Sequence, residues 1–206
     1  MEVSGAIHRK TYRATVGSQE IDLPLVPIGN GLAISLLMTI DCGVHFAEKA
    51  GRDLAARLMS SRPDIVATAA TMGIPVAIEV TRSLGLDDYV VLQKSDKVHL
   101  KDALSEPVVS ITTTGTQRLL LDRARIPALA GRRVAFVDDV VSTGSSARAA
   151  LTLLRAAGAE IVAVGALLTE ATSWRNALGD DARLIHSLGQ IPLFAADGDG
   201  WREVWE

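Results

Sequence analysis

An α/β fold, with a parallel sheet flanked by helices under a small N-terminal hood, is what this sequence predicts. Three observations carry that expectation. After Asp64, short apolar runs alternate with segments of helical period, the rhythm that builds parallel sheets through right-handed crossovers. One of those runs, Val134 to Val137, lacks polar alternation, as a strand buried on both faces does. The N-terminal stretch does not follow the rhythm. Residues 1–43 are therefore assigned to a hood over the strand ends, and 44–206 to the core.

Taken in order, Thr11 to Val16 and Glu20 to Val26 flank a Gly17-Ser18 turn and read as a hairpin. Pro24 and Pro27 then make an irregular stretch ending in Ile28-Gly29-Asn30-Gly31-Leu32. Ala47, Ala50, Leu54 and Leu58 share a helix face, which Ser60-Ser61-Arg62-Pro63 stops. Asp64 to Ala67 starts the first sheet strand. The turn Thr68 to Gly73 leads into a helix from Ile74 that ends at Gly85, with Pro75 tolerated in its first turn. Tyr89 to Gln93, Val108 to Ile111 and Leu119 to Leu121 read as strands, as do Val134 to Val137, Ile161 to Leu168 and Leu184 to Leu188. Between them Ala147, Ala150, Leu151 and Leu154 form one helical stripe, closed by Gly158.

The chain has 206 residues, 48% apolar and 22% charged, which suits a soluble α/β domain with a subsidiary lobe. A net charge of −3 with scattered Lys and Arg argues against a nucleic-acid surface. Gly31 to Ile40, the longest apolar stretch near the start, is too short to span a bilayer. MEVSGAIHRK has no apolar core behind a basic start, so no secretory signal is expected. Cys42 is the only cysteine, which excludes an internal disulfide, fits a reducing cytoplasm and reads as a structural thiol. His8, His45, His99 and His186 show no metal-ligand spacing.

The chemistry concentrates in Val134 to Ser146, VAFVDDVVSTGSS. An apolar strand ends in two adjacent carboxylates, Asp138 and Asp139, and a hydroxyl-rich turn with one glycine opens a helix. Helix N-termini offer free N–H groups and partial positive charge, so Ser142-Thr143-Gly144-Ser145-Ser146 suits a phosphate. Two carboxylates beside a phosphate repel it unless they hold something else; ribose hydroxyls or a magnesium hydration shell are the natural partners.

At these residues the chain resembles the type I phosphoribosyltransferases, whose Rossmann-like fold agrees with the parallel sheet read above. The resemblance implies that Asp138 through Ser146 bind phosphoribosyl pyrophosphate (PRPP): Asp138 and Asp139 hold the ribose, Val140 and Val141 continue the PRPP-binding segment, and Ser142, Thr143, Gly144, Ser145 and Ser146 wrap the 5′-phosphate. The Thr68–Gly73 turn falls where the family keeps its pyrophosphate loop, so Ala69, Ala70 and Thr71 are candidates there, with Met72 where many relatives carry a charged side chain. Gln93-Lys94-Ser95-Asp96-Lys97 is similar to a basic segment of the adenine-type enzymes, which implies Lys94 and then Lys97 as cations for the leaving group. The polar run Ser110 to Arg118 lies where the family has a mobile loop, making Thr112, Thr113, Thr114, Gly115 and Arg118 candidate lid residues.

The implied activity is transfer of the phosphoribosyl group of PRPP to a nitrogen acceptor, favouring a purine-like nucleobase, with release of pyrophosphate. Magnesium is implied as cofactor through PRPP and water near Asp138 and Asp139, not through direct protein ligands. Asp139 is a candidate for stabilising the ribosyl cation or taking a proton. The implied protein is a cytoplasmic homodimer acting on PRPP and a small-molecule acceptor, away from nucleic acid and membrane. The alternative is a non-catalytic PRPP- or nucleotide-binding regulator of the same fold. Glu170 reads as a helix N-terminal glutamate or as a contact to base or metal, Trp174, Trp201 and Trp205 as packing residues, and the Ile28–Leu32 hood as the selector of the acceptor.

Overall fold

The computed structural model describes residues 10–95, 100, 102–108 and 117–206. The chain opens with strands β1 (Thr11–Val16), β2 (Gln19–Gly29) and β3 (Leu32–Ser35), then helix α1 (Val44–Leu58). Next come β4 (Ile65–Ala69), α2 (Gly73–Ser83), β5 (Tyr89–Leu92), β6 (Leu104–Val108), β7 (Gln117–Leu121) and the short α3 (Ile126–Leu129). The remainder is β8 (Arg133–Val141), α4 (Ser145–Ala156), β9 (Glu160–Glu170), α5 (Trp174–Leu178), β10 (Ile185–Ile191), β11 (Leu193–Asp197) and β12 (Gly200–Val204).

The central sheet has the order β10-β9-β8-β4-β5, and every pairing in it is parallel. The pleat sends alternate side chains of β8 to opposite faces. Val134 and Phe136 join Leu151 and Leu154 of α4 on one side. Ala135 and Val137 join Leu54 and Leu58 of α1 and Val76 and Val80 of α2 on the other. Both faces are thus covered, which is why this strand needed no polar alternation. Each fully buried Leu or Phe contributes roughly 1.5–3 kcal/mol through lost water contact.

Two departures from the sequence expectation concern pairing partners. The strand expected over Val108 to Ile111 ends at Val108, and 109–111 lie outside the described residues. It pairs antiparallel with β7 as a separate ribbon, joined to β5 by the Gln93–Leu120 bridge. Pro107 has no N–H to give, which suits such an edge ribbon better than the interior of a parallel sheet.

The second departure is the hood, a five-stranded sheet of order β1-β2-β3-β11-β12. It draws on both ends of the chain, because Phe194 pairs with Ala33 and Ala195 with Leu32. Phe194 also packs edge-on against Tyr12, with ring centroids 5.4 Å apart. Gly189 of β10 docks this layer on the core: a Cβ there would sit 2.0 Å from the Thr15 carbonyl oxygen. The Gly17 amide adds a bond to the Leu188 carbonyl at 3.3 Å.

Candidate functional site

Strands β4 and β8 lie side by side, from Ile65 against Val134 to Thr68 against Val137. The chain leaves them in opposite directions, from β4 through α2 to β5 and from β8 through α4 to β9. Crossovers that diverge from adjacent parallel strands open a crevice beyond the carboxyl ends of the strands. Helices α2 and α4 both begin at its rim.

The acidic pair lies inside β8, not after it. The strand runs on past the expected end at Val137, with Val140 opposite Leu168 and Val141 opposite Thr169. Asp138 is 7% exposed. Burial pushes its carboxyl well above the usual carboxylate range, the adjacent Asp139 charge adds to this, and Lys94 opposes both. Burial also raises Asp139, against hydrogen bonds that include one with Asp138 and against the Lys94 charge. The Asp139 amide donates to Asp138 Oδ1 at 3.1 Å. A buried carboxylate pair of this kind is costly until hydroxyl donors or a cation meet it.

After the pair, Ser142 and Thr143 lead to Gly144, the N-terminal residue flanking α4. Gly144 has φ +79°, and a Cβ on it would lie 3.0 Å from the Trp174 carbonyl oxygen and 3.1 Å from Ala177 Cβ. Both the backbone and the packing of α5 therefore call for glycine here. Thr143 Oγ1 and Ser145 Oγ are hydrogen-bonded at 2.7 Å. Among the described residues, the amides of Thr143, Gly144 and Ser146 have no backbone acceptor outside the regular elements. The turn, with Asp138 and Val141, walls a cavity of about 90 Å³ that Ser142, Thr143, Gly144 and Ser146 face. Open amides and hydroxyls at a helix start form an anion cradle.

The turn after β4 differs from its sequence description. Ala69 is still in the strand and buried, and the Ala70 amide donates to the Leu92 carbonyl at 2.9 Å. The open part is Thr71 to Gly73, held from outside by Thr39, whose hydroxyl donates to the Met72 carbonyl at 2.6 Å. Gly73 lies against the acidic pair: a Cβ there would be 2.1 Å from Thr68 Oγ1 and 2.9 Å from Asp138 Oδ1. Lys94, exposed just beyond β5, is near enough for its charge to act on both aspartates. Arg118 lies in β7, donates to Ser105 Oγ across the ribbon, and lines neither site cavity. Lys97, Thr112, Thr113, Thr114 and Gly115 lie outside the described residues.

A second cavity of about 310 Å³ adjoins the first under the hood. Ile28, Leu32, Ile34, Leu36, Leu37 and Leu193 form its apolar walls. Asp139, Ser142, Thr143, Glu170 and Ser173 line its core side, and Ser35 of β3 lines it from the hood. Glu170 is the last residue of β9 and not the start of a helix, since α5 begins at Trp174. It is 4% exposed. Ser142 Oγ donates to its Oε2. Burial raises its carboxyl above the usual range, with the Ser142 bond acting the other way. Ser35, 3% exposed, has no hydrogen-bond partner among the described residues. Sequence reasoning missed Ser35 and Leu193; the only signal was a serine at the end of the otherwise apolar run Leu32-Ala33-Ile34.

Trp174 is buried and donates its indole N–H to the Ala171 carbonyl at 3.1 Å, so it packs the sheet edge and lines neither cavity. Cys42 donates to the Met38 carbonyl at 3.2 Å, and burial raises its thiol. Among the described residues, no three His, Cys, Asp or Glu side chains are gathered in a way that could hold a metal ion. No helix among them is long and apolar enough to cross a membrane.

Residues 45–196 match the family model of the phosphoribosyl transferase domain. The chain is 28% identical over 156 residues to a xanthine phosphoribosyltransferase of an Exiguobacterium species, covering 75% of this chain and 79% of the relative. It is 31% identical over 158 residues to an orotate phosphoribosyltransferase of Sphingopyxis alaskensis, covering 73% and 68%. Among solved structures, the adenine phosphoribosyltransferase of Giardia lamblia, complexed with 9-deazaadenine, superposes with a TM-score of 0.66 at 21% identity over 82% of this chain and 93% of that one.

Proposed function

Because this chain belongs to the type I phosphoribosyltransferase family, a family of transferases, we propose that it moves the phosphoribosyl group of PRPP to a ring nitrogen of a purine-like base and releases pyrophosphate. One observation carries this reading: the small polar cavity and the larger apolar one share Val140, Ser142 and Thr143, with Asp138 facing the first and Asp139 the second. A 5′-phosphate in the first, a ribose along the acidic pair and a flat base in the second lie in the order in which a nucleotide is built. The names of the relatives span xanthine, orotate and adenine. The apolar hood cavity, roomy enough for a small-molecule ligand, favours a purine within that range.

In this reading the amides and hydroxyls of Thr143, Gly144, Ser145 and Ser146 anchor the 5′-phosphate. The open amides of Thr71 to Gly73 and the Lys94 ammonium receive the pyrophosphate. The C1′–O bond to pyrophosphate breaks as the N–C1′ bond forms, and the acceptor nitrogen passes its proton to the Asp139 carboxylate, which lines the acceptor cavity, and thence to water. The ribose carries oxocarbenium-like charge between these events, where the carboxylates of Asp138 and Asp139 orient it and Asp139 faces the acceptor. The pair also fits magnesium, since hard carboxylate oxygens whose ionised form is penalised by burial suit the ion's water shell. When bound, magnesium supplies neutralisation of the pyrophosphate charge. The protein works in the cytoplasm as a homodimer, the assembly the family resemblance implies, with the hood strands of residues 11–35 and 193–204 together selecting the acceptor.

The test is pyrophosphate release from magnesium–PRPP with a panel of purines, pyrimidines and small amines. Release that depends on a purine is the expected result. Binding of PRPP and ribose 5-phosphate without acceptor-dependent release would establish the regulatory alternative, which the uncharged Met72 in the pyrophosphate turn favours.

A further inference from the structure

The hood cavity contains two polar groups that its apolar walls leave unexplained. Ser35 Oγ is buried with no partner among the described residues, on the hood side. Glu170 lines the same cavity from the core side, at the end of β9. Among the described residues only Oε2 of Glu170 is hydrogen-bonded, by Ser142, and no Lys, Arg or His pairs with it. A buried carboxylate with one oxygen open and no cation beside it is poised for a ligand's donor.

We propose that Glu170 and Ser35 are the specificity-determining pair of the acceptor pocket, selecting flat heteroaromatic bases that present N–H donors to Glu170 over bases of the same shape that present a carbonyl there. The proposal rests on the acceptor being bound in the hood cavity, as the phosphoribosyl-transfer reading has it. Ser142 donates into Glu170 and so holds it as a hydrogen-bond acceptor. An exocyclic amino group completes the open oxygen with a charge-assisted bond. A carbonyl oxygen in the same position sets acceptor against acceptor where water is excluded, the arrangement that gives polar pockets their strongest discrimination. Ser35 can donate or accept, so it contributes affinity for a ring nitrogen or a carbonyl alike.

The experiment compares shape-matched pairs, adenine with hypoxanthine and 2,6-diaminopurine with xanthine, in two readouts. One is kcat/KM with magnesium–PRPP; the other is equilibrium binding of each base in the presence of ribose 5-phosphate, which needs no turnover. The amino member of each pair should win by about tenfold or more, as a site built around a ligand donor does. Glu170→Gln, which brings a carboxamide N–H to the same place, should collapse or invert that ratio while leaving ribose 5-phosphate affinity and melting temperature close to those of the unmodified protein. Ser35→Ala should weaken both members of a pair and leave their ratio alone. A preference of the unmodified protein for the carbonyl members, or a ratio indifferent to Glu170→Gln, overturns the proposal, as does failure of every base to bind. Bases that bind with the expected ratio but are never phosphoribosylated would instead overturn the transferase reading and leave this one standing.

Discussion

After β8 the chain turns through Ser142, Thr143 and Gly144 into α4; after β4 it turns through Ala70, Thr71 and Met72 into α2. Both turns end parallel strands at the same crevice, and both present open amides at a helix start. The first carries its own equipment: two hydroxyls hydrogen-bonded to each other and a glycine with φ +79°. The second is held by the rest of the molecule, through Thr39 on the Met72 carbonyl and Leu92 on the Ala70 amide. Gly144 is glycine for its backbone and its packing, whereas Gly73 has no positive φ and is glycine for space alone. The first turn combines its own chemistry with tertiary contacts; the second relies on tertiary contacts alone.

The largest expected effect comes from the second turn despite its plain sequence. Gly73→Ala places a Cβ 2.1 Å from Thr68 Oγ1 and 2.9 Å from Asp138 Oδ1. Thr68 is completely buried, so the strain passes into the acidic pair. Overpacking of this kind costs about 1–3 kcal/mol, and the displaced carboxylate should lose PRPP affinity by more than the fall in stability accounts for. Thermal melting and calorimetry with PRPP measure the two separately. Unchanged PRPP binding would mean that the pair tolerates displacement and that the turns are less tightly coupled than the geometry indicates.

The same contrast explains what was legible in the sequence. Asp138 through Ser146 could be read because strand, acidic pair, hydroxyls and glycine are contiguous, and each has a local physical reason. The strand-and-helix rhythm revealed the parallel sheet for the same reason. The end of β8 was misjudged because Asp138 and Asp139 do not look like strand residues; pairing with β9 keeps them in register. The C-terminal half of the hood, the Ser35–Glu170 pocket and the Thr39 prop depend on contacts between residues far apart in the chain. Apolar periodicity in one segment says nothing about which distant strand it meets, so Leu193 and Phe194 read as an undistinguished tail.

Two hydroxyl deletions sharpen the comparison. Thr143→Ala removes a side chain from the phosphate cradle and should weaken every 5′-phosphorylated ligand, PRPP and ribose 5-phosphate alike, by about 1.5–3 kcal/mol as expected for a bond to a charged group. Thr39→Val removes the bond to the Met72 carbonyl and should cost less, about 0.5–1.5 kcal/mol. Its loss should appear with PRPP and pyrophosphate but not with ribose 5-phosphate, since Met72 lies in the other turn. Equal losses for both ligands with Thr39→Val would make the two turns one cooperative unit.

The last effect lies between the turns, at Asp138, and has a definite sign in pH. Burial first, and then the charge of Asp139, holds the Asp138 carboxyl well above its ordinary range in the folded protein. A group with a raised folded-state pKa binds its proton more tightly folded than unfolded, so its contribution to stability is fully present below the unfolded pKa and is lost as pH rises through the folded one. Above the ordinary carboxylate range the ligand-free protein therefore bears the cost of Asp138, which must either ionise while buried or hold its proton against the solution. Asp138→Asn keeps the shape and removes that charge, so it should raise the ligand-free melting temperature at neutral pH, with the gain shrinking as the buffer is taken down into the carboxylate range. The same substitution should reduce the extra stabilisation that magnesium–PRPP gives, because the carboxylate is there to meet ribose hydroxyls and the ion's water shell. Melting curves across pH, with and without magnesium–PRPP, contain both outcomes. A variant less stable than the unmodified protein at every pH would show that the hydrogen bonding of the carboxyl form with Asp139 outweighs the burial of charge, and that the acidic pair is held by the fold rather than held ready for a ligand.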